Sequence, residues 1–385
     1  MHPSSLFKKI AIFITRNSRL CMPLFMDFHK IPNLTLDDVV NAHMADMAIQ
    51  EQYGVKYLQF WVNQRDGAVF CLTEGPDAKT CELVHQMAHG NLACAITEVD
   101  AGTYKLFMGE SHKLELGLVK NQDDSIDTGY RSILVADVRG MAGSAHPSEL
   151  QALEIPPVAR QQIFDIVRKH NGRDVKWPAE GSIIAVFNDA TEAVKCGREI
   201  ERALLPDPVN PNLVFKIGIS CDQPLTEDGE FFTRAIKLAR RLIQTAQDNQ
   251  ILISSLVKEL CSEPFDSSSS VKSLKSADES FLSELLDYAE QNLGNNSYSI
   301  ENLCKDIGIS RPQLYRKVTS LTGRAPNDFL RDIRMEKAAT LLRRRAGNIS
   351  EVALEVGYNN PSYFSKCFAD KFGCMPSEVV ARQYV

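Results

Sequence analysis

The stretch Ile300–Gly323, IENLCKDIGISRPQLYRKVTSLTG, returns in altered form as Ile349–Gly373, ISEVALEVGYNNPSYFSKCFADKFG. With one extra residue allowed in the second turn, the apolar positions coincide: Ile300 with Ile349, Leu303 with Val352, Cys304 with Ala353 and Ile307 with Val356. Beyond the turn, Leu314 matches Phe364, Val318 matches Phe368 and Gly323 matches Gly373. Each copy reads as a short helix, a turn at Gly308 or Gly357, and a second helix, which is a helix-turn-helix signature. Two copies in tandem imply a segment shaped to enter DNA.

Helical phase assigns the faces of the second helices. Leu314, Val318 and Leu321 turn inward, leaving Arg311, Pro312, Tyr315 and Arg316 outside; Phe364 and Phe368 turn inward, leaving Ser362, Ser365 and Lys366 outside. The charge distribution agrees. Residues 303–385 hold 14 Lys and Arg against 8 Asp and Glu, whereas residues 1–302 hold 29 against 41. A basic tail on an acidic front half is the footprint of a nucleic-acid-binding domain joined to a sensor.

At 385 residues the chain has room for two or three domains. No apolar run approaches the ~20 residues that span a bilayer, so no membrane partner is expected and the cytoplasm is the expected location. The ten cysteines show no CxxC and no regular spacing, as reduced thiols would. Residues 1–21 carry too short an apolar run for a signal peptide and read as a disordered or mis-called extension before Met22.

Residues 22–105 read as a small α/β unit of order βαββαβ. A strand near Leu24–His29 leads to an acidic helix capped by Thr35, a hairpin turning at Gln64–Gly67, a helix ending HQMAHG, and a strand near Ala93–Val99. His85 and His89 stand four apart on one helix face, close enough for both imidazoles to reach one metal. Asp27 and His29 share a sheet face. Over about 75 residues, through FMDFH, the AHxxDxAIxxxYGV helix, VFCLTEGPDA and VHxxAHG, this unit resembles a family of short bacterial nickel-binding proteins with a ferredoxin-like fold. The resemblance implies a site for nickel or another divalent ion drawn from Asp27, His29, His43, Cys71, His85 and His89; the alternative for some of them is a fold-maintaining or surface role.

A connector of mixed polarity leads into residues 130–260, where SILVADVRG, SIIAVF, LVFKIGIS and QILISS read as strands between helical stretches, again βαββαβ-like. This segment resembles the class III adenylate/guanylate cyclase domain. The resemblance places Asp137 at the first metal-binding aspartate and Gly181, flanked by Glu180 and Ser182, where the second belongs. Lys237 and Arg241 stand at the Asn and Arg that orient nucleotide. With one metal ligand and the Asn replaced, a degenerate, non-catalytic domain is expected; the alternative is a nucleotide cyclase tethered to DNA. Nucleotide binding or dimer formation remain as roles for it.

The Ser-rich residues 263–279 read as a linker. Residues 280–385 resemble the AraC/XylS regulators across about 100 residues, carried by both repeats, by FLRDIRMEKAATLL and by the closing MPSEV. The resemblance implies a connecting helix from Pro326 to Arg345 that fixes two recognition helices for successive major grooves, ~34 Å apart. Arg311, Gln313, Tyr315, Arg316, Ser362, Ser365 and Lys366 are the candidate DNA-contacting residues, with Arg316 the foremost base reader because a guanidinium can bond guanine O6 and N7 together. The whole is expected to be a multidomain α+β chain: two ferredoxin-like sandwiches, then an all-α double helix-turn-helix domain. Its expected function is a non-enzymatic, homodimeric transcription regulator that binds double-stranded operator DNA under a metal or small-molecule effector.

Overall fold

The computed structural model describes residues 22–109, 113–140, 155, 157–175, 182–205, 213–262 and 270–381; the N-terminal extension, Glu180 and Gly181 lie outside them. The chain divides into two compact units, residues 1–131 with 222–234, and residues 132–221 with 235–385.

The first unit opens with β1 (Leu24–Lys30), α1 (Leu36–Ile49), β2 (Lys56–Asn63), β3 (Ala68–Glu74), α2 (Ala78–Ala88) and β4 (Ala95–Val99), the element order expected from the sequence. Thr35, as foreseen, caps α1 by accepting the Asp38 N–H, and Asp77 caps α2 by accepting that of Thr80. Structure continues past residue 105 as α3 (Ala101–Met108), β5 (Lys113–Glu115) and β6 (Leu118–Lys120). The sheet runs β4-β1-β3-β2-β6-β5, so β1 lies inside it, antiparallel to both β3 and β4. The supposed connector after residue 105 is therefore part of the sheet, because Leu118 pairs with Phe60 on the free edge of β2.

Residues 222–234, expected within the middle domain, belong to this first unit. Phe231 and Phe232 bring their rings 5.8 and 5.1 Å from Phe107 of α3, and the Thr97 hydroxyl donates to the Gly229 carbonyl at 2.8 Å. Aromatic burial draws this excursion away from its neighbours in sequence.

The second unit contains β7 (Arg131–Gly140), α4 (Pro157–Lys169), β8 (Arg173–Val175), β9 (Ile183–Phe187), α5 (Ala190–Leu204), β10 (Leu213–Asp222), α6 (Thr233–Thr245), β11 (Gln250–Ile253), α7 (Ser255–Leu260) and β12 (Val271–Ser273). Its sheet runs β12-β11-β10-β7-β9-β8. Gly218 of β10 lets α6 approach closely, since an added Cβ would lie 2.3 Å from the Ala239 carbonyl oxygen. The linker reading fails at its C-terminal end: Val271–Ser273 pairs in parallel with Ile251–Ile253, and Val271 is buried. Backbone pairing on an open edge needs no apolar run, which is why the Ser-rich composition concealed it.

The C-terminal helices are α8 (Ser276–Gln291), α9 (Ile300–Ile307), α10 (Arg311–Thr322), α11 (Pro326–Arg343), α12 (Ile349–Glu355), α13 (Pro361–Phe372) and α14 (Pro376–Ala381). Both helix-turn-helix copies form within a residue or two of their expected bounds. Gly308 takes φ +75° to cap α9, and Gly323 and Gly373 take +71° to cap α10 and α13. Two separate cores result. Met335, Leu342, Val352, Phe364 and Phe368 fill that of the second copy. Leu303, Leu314, Val318 and Phe329 fill that of the first, and this core runs without interruption through Phe281, Leu282, Leu285 and Leu286 to Leu242, Ala246, Leu252 and Leu274 of the middle domain.

Leu285 is 1% exposed at the centre of that continuous core. Leu285→Ala is expected to cost about 2–5 kcal/mol by removing apolar contacts and leaving a cavity. Urea unfolding of the intact chain measures it, and a loss below about 1 kcal/mol would mean that this core is not tightly packed.

Candidate metal centre and nucleic-acid interface

β1, α1 and α2 converge their polar residues on one buried imidazole. His85, on α2, faces Asp27 of β1 with Nε2 (3.0 Å to Oδ2) and Asp46 of α1 with Nδ1 (3.1 Å to Oδ2). Around this core, His29 Nε2 lies 3.3 Å from Asp27 Oδ1, and His89 Nε2 lies 3.3 Å from both Asp46 Oδ2 and His85 Nδ1. Asp27, His29, Asp46 and His85 are each at most 5% exposed. Burial disfavours the His85 imidazolium, yet the two carboxylates outweigh it and raise its pKa to about 10. Burial likewise opposes ionisation of Asp27 and Asp46, but hydrogen bonds from His29 and His85 to the first, and from His85 and His89 to the second, hold both below the usual carboxylate range.

Two triads of potential ligand atoms result, Asp27–His29–His85 and Asp46–His85–His89, each with its atoms within 4.8 Å of one another and with His85 in common. Four of the six sequence candidates, Asp27, His29, His85 and His89, thus come together. His43 and Cys71 fall outside both triads. The Cys71 backbone N–H donates to Asp27 Oδ1 at 3.1 Å, and its thiol also meets the Asp27 carboxylate while packing with Leu34, Val39, Phe60 and Leu118; burial first and Asp27 second push the thiol pKa up. His43, 3% exposed, holds its ring tilted against that of Phe60, with centroids 4.7 Å apart. Asp46 was not singled out from the sequence, although it stands three residues after His43 within the motif AHxxDxAI, one helical turn away on the same face.

The residues present fit a divalent ion. Imidazole and carboxylate together are a donor set that nickel, zinc or copper accepts. Three buried atoms here, Nδ1 and Nε2 of His43 and Oδ1 of Asp46, have no hydrogen-bond partner among the described residues, and each such atom costs about 1–3 kcal/mol where nothing compensates it.

At the other end of the chain, α10 and α13 present the outer faces foreseen for them. Leu314, Val318, Phe364 and Phe368 are buried, while Arg311, Pro312, Gln313, Tyr315, Arg316, Ser362 and Lys366 are exposed and Ser365 is half-buried. Two of these residues are already engaged. Gln313 accepts the Ser310 N–H at 2.9 Å in a capping box, and Arg311 lies 3.0 Å from Glu301. Arg316 and Lys366 enter no hydrogen bond or ion pair among the described residues. Tyr363, 57% exposed beside Ser362, adds an outward-facing aromatic ring that is not among the sequence candidates; the ~100° step between neighbours on a helix turns it away from buried Phe364.

Gly117, in the turn between β5 and β6, has φ +86°, and a Cβ built on it would lie 2.3 Å from His43 Nε2. Gly54, at φ +64°, meets nothing within 4 Å. Gly54→Ala should therefore cost only left-handed strain, about 1–2 kcal/mol, whereas Gly117→Ala should lower stability further by displacing His43. Paired denaturant titrations measure the difference, and equal losses would show that His43 does not rest on this turn.

Residues 25–99 match the family described as nickel responsive protein SCO4226-like, and residues 303–382 match a helix-turn-helix domain family. The SCO4226 crystal structure from Streptomyces coelicolor A3(2) is 38% identical, covering 20% of this chain and 94% of that one, with a TM-score of 0.19. The HTH-type transcriptional regulator MtrA of Neisseria gonorrhoeae is 31% identical over 83 residues, 22% of this chain and 28% of that protein. An adenylate/guanylate cyclase/hydrolase structure from Silicibacter pomeroyi is 27% identical over 35% of this chain and 83% of that one, with a TM-score of 0.27. The chain spans less than two fifths of the length of the curated relatives it matches. It joins an N-terminal domain of the nickel-responsive SCO4226-like family to a C-terminal helix-turn-helix domain of the AraC type.

Proposed function

We propose that this protein is a sequence-specific DNA-binding transcription regulator whose N-terminal domain answers to nickel or another divalent ion. The observation that carries the reading is the pair of outward-facing helices α10 and α13, mounted on the single connecting helix α11, with Arg316 and Lys366 exposed and unengaged. Arg316 suits bidentate reading of a guanine in the major groove; Lys366, a point charge, suits a phosphate or a base edge. Tyr315, Ser362 and Ser365 add hydrogen-bonding or apolar contacts, and Arg311 joins them on breaking its exposed pair with Glu301, which is worth ~1 kcal/mol at most. The capping box leaves Gln313 only its amide N–H groups to offer.

In the N-terminal domain either triad, Asp27–His29–His85 or Asp46–His85–His89, would hold the ion, with His85 giving up the proton that Asp27 and Asp46 otherwise keep on it. A bound ion would supply a positive charge among these carboxylates and imidazoles, tying together the elements that carry them. Asp27 and Asp46 bring the negative charge that attracts a cation, and they orient His85. The strand order β4-β1-β3-β2 with α1 and α2 supports a ferredoxin-like reading of this domain. The middle domain is read as a degenerate cyclase relative without catalysis, since Lys237 stands where that resemblance puts an Asn. A cytoplasmic homodimer belongs to the same reading.

The test is fluorescence anisotropy of the full-length protein on duplexes from its own upstream region, with and without nickel. Arg316→Ala should weaken binding by about 1–3 kcal/mol and relax the preference at one base pair. His85→Ala and Asp46→Asn should each lower nickel affinity by more than about tenfold by calorimetry, and should abolish any nickel-dependent change in DNA affinity. Sequence-independent binding would sink the regulator reading, and unchanged nickel affinity in both variants would remove the metal centre. Cyclic product from ATP or GTP with manganese would overturn the non-enzymatic reading.

A further inference from the structure

The part of the middle domain that meets α8 and α11 carries Arg139 on β7 and Lys237 and Arg241 on α6, with Asp137 two residues before Arg139 on the same strand. Three of these four, Asp137, Lys237 and Arg241, are the positions that the cyclase resemblance assigns to metal and nucleotide. In this protein the C-terminal domain stands against them. Asp287 of α8 lies 2.7 Å from Lys237 Nζ and also pairs with Arg241. Glu336 of α11 lies 3.9 Å from Arg139. Burial, then the Glu336 charge, raises the Asp137 pKa. At the end of α6, Arg324 donates to the carbonyls of Gln244 (2.7 Å) and Thr245 (3.2 Å), satisfying acceptors that a helix C-terminus leaves open.

Between these polar contacts runs the continuous apolar core of Leu242, Ala246, Leu252 and Leu274 with Phe281, Leu282, Leu285 and Leu286. Arg241 is only 7% exposed. Among the described residues its Nε has no partner, and Asp287 is the carboxylate that pairs with this desolvated guanidinium. Removing that carboxylate would leave a buried charge uncompensated.

We propose that this face of the middle domain is an internal docking face for the DNA-binding domain, latched by Asp287 on Lys237 and Arg241. The latch ties the first helix-turn-helix rigidly to α6. The second copy, with its own core, is joined through α11 and through Lys371, which reaches Glu336 at 3.0 Å. Docking leaves the outer face of α10 open, with Tyr315 54% exposed. The latched state is therefore competent for DNA, and the middle domain acts as a brace that pre-organises the first recognition helix. An effector that shifts α6 would move that helix directly. The DNA part of this inference rests on the regulator reading above; the docking part does not.

Amide hydrogen exchange of the full-length protein tests the docking. In the wild type, α6 and α8–α10 should open together as one cooperative block, distinct from α12–α13. Asp287→Lys should speed exchange about tenfold or more in both α6 and α8–α10 while sparing α1 and α2. Asp287→Glu should restore most of the protection. Should the charge reversal fail to fold, Asp287→Asn reads the same paired change at smaller size. Acceleration confined to α8–α10, or none in either variant, would overturn the latch. On a duplex from the upstream region, Asp287→Asn should weaken binding about fivefold or more through lost pre-organisation; unchanged affinity would overturn the brace. If the wild type binds no duplex, the regulator reading falls and exchange alone decides the docking.

Discussion

Burial of α8 against α6 is the constraint on which the second unit depends. Leu282, Leu285 and Leu286 are each at most 2% exposed, and they close a core that begins on the middle-domain sheet and ends beneath the first recognition helix. Such a core cannot be cut at a domain boundary without exposing apolar surface at ~25 cal/mol per Å². The first helix-turn-helix is therefore a continuation of the middle domain. The second is an appendage with its own interior, built on Phe364, Phe368 and Phe372.

The polar contacts arrange themselves around this packing. Asp332 and Glu336 on α11 collect Arg324, Lys371 and Arg139, cations from the first repeat, the second repeat and the sheet. Burial works against the Glu336 carboxylate, but Lys371 and Arg139 outweigh it and bring its pKa down to about 2. Its stabilising contribution is thus present above the ordinary carboxylate pKa and fades only as pH falls toward that value. The same logic, more concentrated, shapes the N-terminal domain, where two carboxylates hold one imidazole against the cost of burial.

Much of the candidate chemistry was legible because local periodicity carries it. Spacings of two on a strand and four on a helix brought Asp27 to His29 and His85 to His89. The helical phase of Leu314 and Val318 told which residues of α10 face outward. Asp46 escaped notice because a lone acid on an acidic helix looks like a solvated side chain, and only the approach of α2 makes it a partner of His85. Cys71 pairs directly with Asp27 across β1 and β3, so both side chains lie on one sheet face, yet only the fold showed that the thiol also packs in an apolar cluster and stands outside both triads. Engagement of Gln313 and Arg311 could not be read either, since each depends on which neighbour the folded backbone presents.

By itself the sequence determined the tandem helix-turn-helix with its turns at Gly308 and Gly357, the order of elements in the N-terminal domain and the residue types of a candidate metal centre. All of these follow from patterns within a turn of helix, a strand or a hairpin. Only the tertiary structure decided that Val271–Ser273 is a strand, that residues 222–234 pack with Phe107, and that Asp287 meets Lys237 and Arg241. Those outcomes come from long-range burial. They balance apolar area and compensated charge across segments far apart in the chain, and no local repeat encodes that balance.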